Sequence, residues 1–373
     1  MNPPIVKGIP LPEFNLWKRI RNKRVLTNFD FEITDRCNNN CRHCYINVPA
    51  GDSVAKKKEL SADEIERMAG EAASLGALWC TLTGGEPLLR EDFFDIYLRL
   101  KKRGLLLSLF TNATLITNEH IRFFKKYPPR DIEVTVYGAT LETYEKVTRR
   151  KGAFGAFARG LDLLLKHKIP VRLKAMALRS NIHEMQEIIR FCQERTKDFF
   201  RFDPFLHLRF DGDPKRNKEI ISERLSPSEI VDLERSDPAR FRGLLENCER
   251  LIVQGYSKKT CRHLFYCGAG NNGFAMSSQG IFRLCSSLWH PDCIYDLKTG
   301  TLREAWLNFV PRVRKKESDR KQFVKKCLVC PIINLCLWCP AHAHLETGGI
   351  DIPVDYFCQV AQARAEALRK AAT

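Results

Sequence analysis

Between Phe29 and Leu208 the chain alternates strand and helix signals with little interruption, and this alternation limits the possible fold more than any other feature. FDFEIT, Phe29 to Thr34, reads as a strand. Ser61 then opens a helix in which Glu64 completes a capping box and Ile65, Met68, Ala69, Ala72 and Leu75 share one face. Further strands are predicted at Ala77 to Thr83, Leu105 to Phe110, Ile132 to Tyr137, Val171 to Leu178 and in FFRFDPF from Phe199. Helices are predicted at Arg90 to Arg103, Asn118 to Tyr127 and Phe154 to His167, and from a cap at Asn181, with Glu184 at its third position, to Glu194. Six such rounds predict an α/β fold with a parallel sheet and right-handed crossovers. They are too few for a closed eight-stranded barrel, so a partial (β/α)6, TIM-like barrel is expected, with its chemistry at the C-terminal ends of the strands.

The character of the chain changes after Leu208. Residues 209–260 read as a polar helical bridge, in which Ser226, Pro227 and Glu229 form another helix start. Residues 261–373 are rich in Cys and Gly and short of long periodic segments, as expected of a small domain held by bound metal. Residues 1–28 precede the barrel, 29–208, as an N-terminal extension. No apolar run approaches the ~20 residues of a membrane span, and MNPPIVKGIPLPEF lacks the features of a secretory signal. A cytoplasmic location is therefore expected, where disulfides explain 15 cysteines poorly. The cysteines are also clustered, as metal ligands are. The formal charge of +17, in runs such as Lys56 to Lys58 and Arg312 to Lys316, is read as solvated surface, because no aromatic residues interleave with it as in a nucleic-acid site.

Cys37, Cys41 and Cys44 follow directly on the first strand, with three and then two residues between them. Three thiolates in so short a loop suit one face of an iron-sulfur cluster, and Asn38, Asn39 and Asn40 favour turns and bring donors near the sulfurs. A Cys3His zinc site that includes His43 is the alternative. Thr83-Gly84-Gly85-Glu86-Pro87 closes the second strand at the same end of the sheet. Its glycines let a ligand approach the backbone, and its carboxylate suits an ammonium group.

With these two motifs together, Cys37-x3-Cys41-x-His43-Cys44 and Gly84-Gly85-Glu86-Pro87, the chain resembles the radical S-adenosylmethionine (radical SAM) superfamily. The resemblance implies a 4Fe-4S cluster on Cys37, Cys41 and Cys44 whose open iron is chelated by SAM. It implies that Glu86 and the Gly84-Gly85 backbone hold the methionine end of SAM, that His43 lies near the adenine, and that Asn112 and Thr135 meet the ribose. Reductive cleavage of SAM would then give a 5'-deoxyadenosyl radical that abstracts hydrogen from substrate.

The C-terminal cysteines resemble the SPASM extension of that superfamily: Cys267-x12-Gly280-x4-Cys285, then Cys327-x2-Cys330-x5-Cys336-x2-Cys339 and Cys358. One departure is visible, since two residues rather than the usual three separate Cys336 from Cys339. The resemblance implies two auxiliary 4Fe-4S clusters, one on Cys261, Cys267, Cys285 and Cys339, the other on Cys327, Cys330, Cys336 and Cys358. A pair of zinc ribbons is the alternative for the Cys-x2-Cys pairs alone. Of the cysteines left over, Cys80 and Cys192 read as small core residues, and His342 and His344 as hydrogen-bonded neighbours of a cluster loop.

Enzymes with this extension mostly modify peptides or proteins, so the resemblance implies a radical peptide or protein maturase. Sulfatase-maturing members usually carry an Asp after the cysteine matching Cys285, where this chain has Ser286 and Ser287, which argues against that substrate. With 28 residues before the first strand, leader recognition, if needed, is expected to use a separate leader-binding partner or another surface. The basic surface suits an acidic electron donor such as a flavodoxin or ferredoxin. A radical enzyme acting on a small molecule or RNA, marked by strongly salt-dependent RNA binding, is a second expectation. A zinc-rich nucleic-acid-binding protein is a third, and it would leave Gly84 to Pro87 as coincidence.

Overall fold

The computed structural model describes residues 23–196, 200–246, 252 and 262–372; Cys248 and the expected ligand Cys261 lie outside the described residues. Six parallel strands form the centre: β1 (Asn28–Thr34), β4 (Trp79–Gly84), β5 (Leu106–Thr111), β6 (Asp131–Val136), β7 (Val171–Met176) and β8 (Arg201–Asp203). Two short strands, β2 (Arg36–Cys37) and β3 (Val48–Pro49), pair with each other beside them. The strand order is that of an α/β partial barrel: each new strand is added next to the last, and helices fill the crossovers.

In β1 the alternation sets the two environments of the sheet. Phe29, Phe31 and Ile33 are buried in the core against helices, while Asp30 and Glu32 line the barrel cavity. The helix Ala62–Ser74 starts at Ser61 with the expected capping box to Glu64 and buries Ile65, Met68, Ala69 and Ala72. Likewise Ser226 and Glu229 form a capping box at the helix Pro227–Arg235, with Pro at its start.

The structure differs from expectation in three places. A helix at Leu141–Thr148, capped by Thr140, fills the crossover between β6 and the helix Ala153–Lys166. Asn181 makes no cap to the helix that follows; its side chain accepts from the Leu178 N–H and donates to the carbonyls of Tyr137 and Met176, while Glu184 reaches back to Thr140 and Thr143. Third, the Cys-rich region extends the main sheet. Its β9 (Gly273–Met276) pairs parallel with β1, and β10 (Ile281–Arg283) and β11 (Ile294–Asp296) continue antiparallel beyond it, giving nine strands. Arg283 on β10 is fully buried against Glu32 on β1, and the C-terminal helix Asp355–Ala372 is tied to the bridge by the ion pair of Arg364 with Glu234. Among the described residues no helix is long and apolar enough to cross a membrane.

Candidate functional site

The loop that carries Cys37, Cys41 and Cys44 is held from several sides. The pairing of β2 with β3 closes its base, and Arg36 fixes that base through Glu59 at 2.7 Å and the carbonyl of Ala50 at 3.1 Å. The N–H groups of Asn40 and Arg42 donate to the carbonyls of Thr148 and Val147, and Arg216 donates to the carbonyl of Cys41 at 2.9 Å. The asparagines act locally as expected. Asn38 donates to Thr114, and the backbone N–H of Asn39 points at the Cys37 sulfur at 3.4 Å.

Gly84 and Gly85 bring the end of β4 against this loop. A Cβ on Gly84, whose φ is +134°, would stand 2.1 Å from the Thr34 carbonyl oxygen; one on Gly85 would stand 2.3 Å from that of Arg36. Only glycine permits both approaches. The chain then bonds Gly85 N–H to Thr34 and Glu86 N–H to Arg36.

These elements open onto one cavity of about 320 Å³, lined by Cys37, Cys41, Cys44, His43, Gly84, Gly85, Asn112 and Thr135. Of the nine residues named for the cluster and SAM, these eight line the cavity, and all of the eight but Thr135 come from loops or strand ends. Glu86 does not line the cavity. It is fully buried, and its carboxylate accepts from the Thr111 hydroxyl, the Asn112 N–H and the Leu88 N–H at 2.8, 2.8 and 3.2 Å. These bonds join β4 to β5. Burial raises its carboxyl to about 7 against the pull of those donors. Asn112 lines the cavity but spends its side chain on Asn38, Thr114 and, at 3.9 Å, the Cys37 sulfur.

Burial pushes the Cys37 thiol up to about 12, with Glu86 and Cys44 adding to it, and lifts Cys41 well above its ordinary value, with Cys44 and Cys37 adding. Cys37 and Cys41, whose ionisation burial and the neighbouring thiols oppose, suit a cationic metal core, which takes thiols as thiolates. The Nδ1 of His43 and both side-chain polar atoms of Asn39 are buried in the same wall without a partner. Burial, then Arg216, lowers His43 to about 4, so it is neutral, and its ring packs on Tyr137 at 5.3 Å. The Tyr137 side chain in turn hydrogen-bonds Cys41. Among the described residues no three His, Cys, Asp or Glu side chains are grouped closely enough to hold one metal ion. An iron-sulfur cluster takes each thiolate on a different iron, so its ligands need not meet at one ion.

The remaining cysteines sort into two groups. Burial pushes Cys339 up to about 12, with Cys285 and Cys267 adding, so these three thiols lie near one another. Cys327 is pushed up to about 12 by burial and then by Cys358, Cys336 and Cys330, and these four ring a second cavity of about 140 Å³. Cys80, Cys192 and Cys293 are fully buried, the first two in the apolar core as expected.

Several lining residues were missed from sequence. Asp30, Glu32, Lys174, Asp203, Tyr45, His207 and Ser286 all face the main cavity. Lys174 pairs with Glu133 and lies 3.9 Å over the Phe110 ring; Glu32 pairs with Arg283, yet burial raises its carboxyl to about 7. His207 touches Ser287 through Nδ1 and His342 through Nε2, the latter at 3.3 Å, and the N–H of His342 points at the Cys339 sulfur. The available signal was a charge at every second position of an apolar strand, as in Asp30 and Glu32, which a half-buried solvent-facing strand also shows.

A family model described as "Radical SAM superfamily" matches residues 31–192. The chain is 27% identical over 345 residues to the AdoMet-dependent heme synthase of Methanosarcina barkeri, covering 85% of this chain and 92% of that protein. It is 25% identical over 261 residues to the antilisterial bacteriocin subtilosin biosynthesis protein AlbA of Bacillus subtilis, covering 69% of this chain and 54% of AlbA. In fold it is similar to Streptococcus suis SuiB bound to the precursor peptide SuiA, with a TM-score of 0.68 and 16% identity over 92% of this chain and 78% of that one.

Proposed function

The chain belongs to the radical SAM superfamily, and from that premise we propose that it oxidises a peptide or protein substrate held in the barrel, with iron-sulfur clusters at all three cysteine groups. One observation carries this reading: a single cavity runs from Cys37, Cys41 and Cys44 to Ser286, the neighbour of Cys285. A substrate in that cavity lies between the first thiol group and the second, as an oxidation with an internal electron acceptor requires.

When bound, the first cluster and SAM supply a radical able to take hydrogen from an unactivated carbon. The residues of the chain hold, orient and shield. Cys37, Cys41 and Cys44 would bind the 4Fe-4S cluster, with Tyr137 and Asn112 directed at the sulfurs. The Gly84-Gly85 backbone would face the methionine end of SAM, His43 the adenine, and Asn112 and Thr135 the ribose. Tyr45, Phe205 and Leu206 line the same cavity and would shield a bound substrate. Cys261, Cys267, Cys285 and Cys339 would hold one auxiliary cluster and Cys327, Cys330, Cys336 and Cys358 the other, in a SPASM-type region, 261–373. A separate leader-binding protein and a cytoplasmic setting belong to the same reading.

The similarity to AlbA supports a peptide substrate. The longer similarity to a heme synthase favours a second reading, oxidation of a tetrapyrrole side chain. The charge of the cavity weighs against it. Asp30 and Asp203 line the wall, while the nearby cations Lys174 and Arg283 are already paired with Glu133 and Glu32. The carboxylates of an anionic tetrapyrrole would meet this wall unfavourably.

The test is to follow 5'-deoxyadenosine with SAM and dithionite while adding either pooled peptides or iron coproporphyrin. The proposal expects the peptides to raise the rate and to include a product lighter by the hydrogen removed. Stimulation and conversion of the coproporphyrin alone would overturn it in favour of the second reading.

A further inference from the structure

We infer that the face formed by Lys321, Lys325 and Lys326 is the docking site of a small acidic electron-carrier protein, placed at the outer cysteine group. The three lysines, with Gln322, Pro353 and Asp355, line one surface cleft of about 530 Å³. Asp355 is its only carboxylate, and it is paired with Lys326 at 3.1 Å. Among the described residues Lys321 and Lys325 have no ion-pair partner.

The cleft adjoins the cysteines. Lys326 also borders the cavity ringed by Cys327, Cys330, Cys336 and Cys358, all four of which are partly exposed. Beside them Val329 and Leu337 stand open to solvent, 48% and 38% exposed. A basic rim next to a small apolar centre is what a transient charged partner needs, and such interfaces are small, below about 1,200 Å². Charge complementarity selects an acidic partner and sets the rate of encounter. The placement beside four thiols selects a carrier of electrons over other acidic proteins. The inference rests on the reading of those four cysteines as cluster ligands.

The experiment measures binding of an acidic flavodoxin to the anaerobically reconstituted full chain, at low and at moderate salt. Three proteins are compared: wild type, Lys321→Glu/Lys325→Glu, and Lys125→Glu/Lys126→Glu as an equal change of charge on the helix Asn118–Lys126. The expected result is an affinity about tenfold weaker for the Lys321/Lys325 variant only, with a flatter salt dependence. Unchanged binding of that variant, or equal weakening of both variants, would overturn the inference. Iron content is measured on all three and on Cys330→Ala. If Cys330→Ala keeps the full iron of wild type, the ligand reading itself fails; if it loses iron while Lys321→Glu/Lys325→Glu still binds, the docking face alone fails.

Discussion

The carboxylate of Glu86 accepts the backbone N–H of Asn112 at 2.8 Å, so the turn that leaves β4 is fastened to the end of β5 beside the first cysteine loop. This bond explains why a fully buried acid is placed one residue after two cavity-lining glycines. It aligns Asn112, whose side chain is directed at Asn38 and Cys37.

Stability should carry the signature of that buried acid. The folded state raises the Glu86 carboxyl from 4.5 to about 7, so it binds a proton more tightly folded than unfolded. Its contribution is full below the unfolded value and is lost as pH rises through about 7. Glu86→Gln has no such titration. Urea midpoints at pH 5 and pH 8 should therefore show the variant gaining relative to wild type at the higher pH, on the order of 2 kcal/mol. A difference independent of pH would show that Glu86 is not raised.

Gly84→Ala should be among the most damaging single changes near the site. The new Cβ would meet the Thr34 carbonyl at 2.1 Å in a backbone conformation that disfavours side chains. A loss of about 3 kcal/mol is expected, with β4 pushed away from the cysteine loop. Thermal melting and iron uptake check this together, and near-normal values in both would contradict the packing described.

Arg283 and Glu32 tie the Cys-rich region to the barrel as a buried pair, with the Arg283 guanidinium 3.8 Å from the Trp289 ring. Removing one partner leaves a buried charge uncompensated, at about 3–5 kcal/mol. Arg283→Met should therefore cost far more alone than in the double variant Glu32→Gln/Arg283→Met. A double-mutant cycle by chemical denaturation measures this, and additive losses would mean the two residues act independently.

The two outer thiol groups should load separately. Cys339→Ala and Cys330→Ala are each expected to lose about four of about twelve irons, and to keep the irons of the other groups. Iron and sulfide assays with electron paramagnetic resonance read this directly. Loss of all iron from either variant, or of none from both, would contradict the grouping of Cys267, Cys285 and Cys339 apart from Cys327, Cys330, Cys336 and Cys358.

Much of the barrel was legible because its strands are long enough to show a period. Phe29 to Thr34 and Ile132 to Tyr137 each carry alternation over six residues, and Ser61 and Ser226 announce their helices with capping boxes. β9 to β11, at three or four residues each, are too short for a period, and the place of β9 beside β1 depends on pairing partners more than 240 positions away in sequence. The spacings of Cys37 to Cys44 and of Cys327 to Cys339 were readable because each group is closely spaced in the sequence. The fate of Glu86 was not, because Thr111, Asn112 and Leu88 become its donors only once β4 and β5 are side by side. Asn181 likewise finds its partners across the fold and leaves the helix it precedes uncapped.

The most direct test of the account is the assay of 5'-deoxyadenosine after anaerobic reconstitution of the full chain, with SAM and dithionite, alongside iron, sulfide and zinc counts. The account predicts deoxyadenosine together with about twelve irons per chain, and none of it from Cys41→Ala. Zinc in place of iron with SAM left intact would contradict it.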